Sequence, residues 1–268
     1  MGPVREEPVE AVVDPRAAPR HSLLEVTYAK LAAKGVGTRG ANDLPSRVVL
    51  LCENDSRLRS ADASGAFWRA VFDAARAAPR GTEAPETPFA YTGATAVYPD
   101  TSLVAIESIT AGILAALRAL EKRLDARDAD SRAAAARVLA FSEDAALAFP
   151  GWHAGFVEAQ ALDDGYEPLD PARTLRVAAK ANIAVVELGR RLGAAARARD
   201  DAAAKAPGEL RALETEGAFP TQRQLMGVLR NVDDGPPTIS EFLDAYDTAL
   251  DVDLDSETAW PAPPPLRF

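Results

Sequence analysis

One cysteine and two histidines are all that this chain has of the side chains that most often carry nucleophilic, redox and metal chemistry. With Cys52 alone, no intrachain disulfide forms, which suits a reducing compartment. A serine or cysteine triad would have to recruit His21 or His153. His21 ends an N-terminal stretch without periodicity, and His153 follows Trp152 in a turn with no carboxylate or thiol partner evident nearby. Each reads as a structural or exposed imidazole. One thiol and two imidazoles also fall short of a tetrahedral zinc set. No metal, no cofactor and no enzymatic activity are therefore expected. Nowhere do about 18 apolar residues run together, so no membrane span is expected. The first 20 residues hold no apolar block of the kind a signal peptide requires. The expected setting is soluble and intracellular.

What is present belongs to an ordinary globular chain: 47% apolar and 26% charged residues. Alanine leads the apolar share, which favours helix over strand. The net charge of −10 is concentrated late, because residues 212–268 carry 3 basic and 11 acidic side chains. An acidic protein is a poor general binder of nucleic acid, although the nearly neutral remainder leaves room for a local basic groove.

Residues 1–20 hold four prolines and scattered charge, and read as an extended arm. A capping pattern at Ser22 and a closing Gly35 predict a short helix over 22–34. The β-branched run Arg47–Cys52 is the best strand candidate. A second helix is predicted from Ser64, with Trp68, Val71, Phe72 and Ala75 on one face, and 81–101 reads as a long loop. Leu103, Ile106, Ile109, Ile113, Leu117, Leu120 and Leu124 recur at spacings of three and four. They predict an amphipathic helix of about six turns. A further helix is expected over 131–147. Asp170 and Pro171 open another, expected to reach about Lys205 with Leu175, Ala179, Ile183, Val186 and Leu192 along it. Capping boxes at Thr221 and Thr238 predict two short helices. These elements add up to a mainly α fold: a helical core over 21–250 between extended arms at 1–20 and 251–268. Helix should fill roughly 50–60% of the chain and strand under about 10%.

Gly35, Gly37 and Gly40 match a dinucleotide-binding pattern, but that chemistry needs a strand before and a helix after the glycines. A helix precedes them here and Pro45 follows closely, so they read as a turn. Asp251, Asp253, Asp255 and Glu257 alternate like a calcium loop without its glycine and final glutamate. They read as a solvated acidic segment.

The arginines form two groups, Arg118 to Arg137 and Arg173 to Arg199. Beside so many carboxylates they read as a salt-bridged helix surface. The alternative is a phosphate groove using Arg132, Arg173, Arg176, Arg190 and Arg191, with Trp152, Phe156 or Tyr166 for base stacking. The last nine residues begin with Trp260 and end with Phe268, four prolines between them. Prolines hold an extended conformation and the aromatics are natural anchors, so this segment reads either as a disordered tail or as an arm that docks on a surface.

An Ala-rich stretch opened by Ser131 and Arg132, a tryptophan followed by glycine and phenylalanine (Trp152, Gly155, Phe156), and the Ala-rich run after Pro171 make the chain resemble the coat proteins of flexible filamentous RNA viruses. In size and in proline and alanine content it is also similar to the Pro-Ala-Ser-rich genome-coating proteins of polymycoviruses. The resemblance implies a helical core with clasping arms, self-assembly into a filament around viral RNA, and a virion or host-cytoplasm location. It implies Ser131, Arg132 and Asp164 as RNA-pocket residues. The other expectation is an all-α bacterial scaffold or adaptor without nucleic-acid binding.

Overall fold

A computed structural model of the 268-residue chain describes residues 44–54, 60–78, 89–125, 133–158 and 168–247, all within one compact unit spanning 41–268. The elements in order are β1 (Pro45–Asn54), α1 (Ala61–Ala77), β2 (Thr92–Val97), β3 (Thr101–Ile109), α2 (Thr110–Asp125), β4 (Ala133–Ser142), β5 (Trp152–Phe156), α3 (Pro171–Arg197), α4 (Ala202–Thr215), α5 (Gln222–Leu229) and α6 (Ile239–Tyr246). The strands form one sheet in the order β4-β1-β3-β2-β5. β1 runs antiparallel to β3 and β4, β2 antiparallel to β3, and β2 parallel to β5. From β1 to β4 this is the split β-α-β arrangement, β-α-β-β-α-β, with β5 added beside β2.

The expectation of a mainly α fold is therefore wrong. Of the described residues 52% are helical and 23% are strand, where strand was expected to stay under about 10%, and the fold is α/β.

Alternation along the central strands explains both the sheet and the misreading. Val48, Leu50 and Cys52 of β1, with Val104 and Ile106 of β3, face a core closed by α1, α2 and α6. Val49, Leu51, Leu103 and Ala105 face the opposite core, closed by α3, α4 and α5. Strands buried on both faces read as continuous apolar runs, because neither side can be polar. The run at Arg47–Cys52 lies within β1, as expected. In β3 the same condition put Leu103, Ile106 and Ile109 at helical spacing by coincidence. Val104 and Ala105 between them are equally buried, which a one-sided helix does not allow. Only the second half of the expected long helix is helical, as α2.

Two more expectations are corrected. The loop expected over 81–101 contains β2, which pairs along β3 from Thr92 to Val97. The helix expected over 131–147 is β4, hydrogen-bonded along β1 and set on the sheet by Ala136 and Val138. Tertiary pairing overrides the helical preference of its alanines.

Helix starts were better marked. α1 begins at its cap Ser60, slightly before Ser64, and buries Trp68, Val71, Phe72 and Ala75 as expected. Asp170 caps α3, accepting from the Arg173 amide at 2.8 Å, with Pro171 at the first helical position. α3 ends at Arg197, short of Lys205: Arg199 takes a left-handed φ of 61° and Asp201 caps a new helix. Both capping boxes, Thr221 with Gln224 and Thr238 with Glu241, are formed.

The expected arms at 1–20 and 251–268 and the helix at 22–34 lie outside the described residues.

Candidate functional site

The most deeply buried charges hold the fold. Glu107, in the middle of the sheet on β3, is 1% exposed, and Arg47 beside it on β1 is 8% exposed. Arg47 donates to Glu107 Oε1 through Nε at 2.8 Å and through its terminal nitrogen at 2.6 Å. The same arginine reaches the Ala146 carbonyl at 2.7 Å. Glu107 also accepts from the amides of Ala148 and Phe149, each at 3.0 Å, and from the Thr92 hydroxyl at 3.3 Å. The bonds from Arg47 to Ala146 and from Ala148 and Phe149 to Glu107 fasten residues 146–149 to the sheet, and that segment leads into β5.

α3 packs against this fastened segment. A side chain at Gly189 would meet the Phe149 ring at 2.8 Å and Ala148 Cβ at 2.9 Å, so the missing Cβ is what lets the helix approach.

The second group is His153, on β5. Its Nε2 is buried without a hydrogen-bond partner, near an open cleft of about 480 Å³ whose other walls include Gly151, Ala196, Arg199 and Asp201. Burial pulls the imidazole below its ordinary titration range, with the Asp201 charge opposing. Asp201 caps α4, its Oδ1 accepting from the Ala203 and Ala204 amides at 3.0 and 3.1 Å. No base-and-orienter pair forms here. The thiol of Cys52 is buried and pushed up to about 12, far from thiolate chemistry. Among the described residues, no group of three or more His, Cys, Asp or Glu is placed to hold a metal ion. Among the same residues no helix is long and apolar enough to cross a membrane.

Of the expected nucleic-acid contacts, Ser131, Arg132 and Asp164 lie outside the described residues, as do the assembly residues Trp260 and Phe268. Arg173, Arg176, Arg190 and Arg191 all lie on α3, with about 27 Å of helix between the first and the last. Arg190 and Arg191 bond the Glu187 carboxylate at 2.8 and 2.9 Å and hold its titration down to about 2. Arg191 also pairs with Glu216 at 2.8 Å, and Arg173 with Asp170 at 3.2 Å. Arg176 bonds its own helix at the Ala172 carbonyl. The expected salt-bridged surface is what Arg173, Arg190 and Arg191 build. Trp152, considered for base stacking, is partly buried and packs against the core, 6.0 Å from the Trp68 ring and 4.8 Å from Phe72. Phe156 is 45% exposed, and Tyr166 lies outside the described residues.

The outer surface of α3 carries what the sequence reading misassigned. The buried face consists of Thr174, Val177, Ala178, Ala181, Ala184, Val185, Leu188 and Leu192. Leu175 and Ile183, expected to share the buried line with Leu192, point outward at 71% and 69% exposure, with Ala179 between them. The helix carries two apolar stripes, and periodicity alone does not say which of them turns inward. Beside the outward stripe stand Arg173, Arg176 and Lys180.

Neither a protein-family model nor a curated protein sequence matches the chain.

Proposed function

We propose that this is a non-enzymatic structural protein that assembles with copies of itself. The observation that carries the reading is the outward stripe of α3. Two large aliphatic side chains, two helical turns apart on one face, stand in water on a helix whose other face is packed throughout. Single exposed aliphatics are ordinary, but an aligned pair bordered by charge is the composition of a contact surface. The buried ion pair supports the same reading, since Arg47 and Glu107 bond each other and the segment 146–149.

Coating of RNA is the finer form of this proposal, and less supports it. Arg176 and Lys180 form no ion pair among the described residues, whereas Arg173, Arg190 and Arg191 do. Light scattering of the purified chain over a range of concentrations tests the assembly. Mass rising with concentration is the expected result, and a monomer throughout contradicts it. Adding single-stranded RNA at low salt tests the coating: RNA drawn into the assembly supports it, and free RNA beside intact assemblies removes it.

A further inference from the structure

The proposed assembly needs a partner for the α3 stripe, and the chain holds a segment of matching chemistry. α3 carries six basic side chains and one acidic, Glu187. Residues 248–268 carry Asp251, Asp253, Asp255 and Glu257 against one basic residue, Arg267, and then Trp260, Leu266 and Phe268. Acids followed by large apolar groups complement a basic row set beside an apolar stripe. Arg173, Arg176 and Lys180 would meet the carboxylates, and Leu175 and Ile183 the aromatics.

Placement favours a contact between two copies over one within a copy. The C-terminal segment departs after α6, which packs on the sheet face shared with α1 and α2. α3 covers the opposite face. α6, after which the segment follows, and α3 thus lie on opposite sides of the sheet, so a tail from one copy on α3 of another joins two different surfaces, a heterologous, head-to-tail contact that propagates instead of closing as a symmetric dimer. We infer that residues 251–268 of one copy dock on the outer face of α3 of the next. This rests on the assembly reading and names its joint.

Three proteins test the joint: wild type, the face variant Leu175→Glu/Ile183→Glu, and the tail variant Trp260→Ala/Phe268→Ala. The replaced α3 side chains are already exposed, so the helical circular dichroism signal should match wild type. A charge-reversed face, Arg176→Glu/Lys180→Glu, provides a second test that leaves the apolar groups in place. In light scattering, wild type should grow with concentration while each variant stays monomeric. Mixing the face and tail variants should restore one contact only, giving a one-to-one dimer that grows no further. Wild-type assembly with both α3 variants assembling equally well overturns the docking site and leaves the assembly reading standing. Variants that are monomeric alone and fail to combine overturn the contact between copies. A monomeric wild type overturns the inference and the assembly reading together.

Discussion

Replacing Glu107 by glutamine is the sharpest perturbation of this fold, because shape is kept while charge and acceptor capacity change. In the native protein the carboxylate takes two bonds from Arg47, at 2.8 and 2.6 Å, and bonds from the Ala148 and Phe149 amides. Glutamine offers one oxygen, and its NH₂ group faces donors, whichever way the amide turns. It also leaves the Arg47 guanidinium, only 8% exposed, without a counter-charge. Removing one member of a buried ion pair costs about 3–5 kcal/mol. A Tm falls by about 2–4 °C per kcal/mol in a domain of this size, so the expected drop is roughly 6–20 °C. Urea titration followed by circular dichroism gives the free energy, and a thermal scan gives the Tm. The double variant Arg47→Met/Glu107→Gln should lose less than the sum of the single changes, because it strands no charge. A single-variant loss below about 1 kcal/mol would refute the reasoning, since that is the scale of a solvent-exposed pair.

The close approach at Gly189 predicts that Gly189→Leu, driven into the Phe149 ring, costs about 1–3 kcal/mol in the same titration. Loss of either capping box, by Thr221→Ala or Thr238→Ala, should cost about 1 kcal/mol, read the same way. His153 makes stability depend on pH. Its folded-state titration is lowered by burial, so below the ordinary imidazole range near 6.5 the unfolded chain binds the proton more readily. Stability should fall as pH drops through that range, and His153→Gln should flatten this part of the profile.

How far the sequence reveals the fold depended on what the signal was made of. Local hydrogen-bonding chemistry was readable: Asp170 with Pro171, Thr221 with Gln224 and Thr238 with Glu241 start helices where expected. The failures came where burial is set by partners far along the chain. β3 pairs with β1 from 48 to 64 residues away, and helices packed on both faces of the resulting sheet bury Leu103–Ile106. No local rule sees it, and three isoleucines and leucines at helical spacing were enough to mislead. β4 shows the same cause in alanine, whose local preference yields to the ladder with β1. The candidate site was only half readable. The charge contrast between the 173–199 arginines and the acidic C-terminal residues is visible in the sequence. The outward turn of Leu175 and Ile183 depends on which alanine-rich stripe the sheet accepts. Val177, Ala181, Ala184, Val185, Leu188 and Leu192 take that place in the core.

The central claim is that one copy grips the next through α3, and a cross-link across that joint tests it most directly. Benzoylphenylalanine placed at position 183 keeps the site apolar and reacts with whatever lies against it. Irradiation of a mixture of copies with natural and heavy nitrogen, followed by mass spectrometry, reads which chains are joined. The expected products are linked peptides from α3 and from residues 251–268, with light and heavy copies joined to each other. Links confined to single chains, or to any other segment, would contradict it.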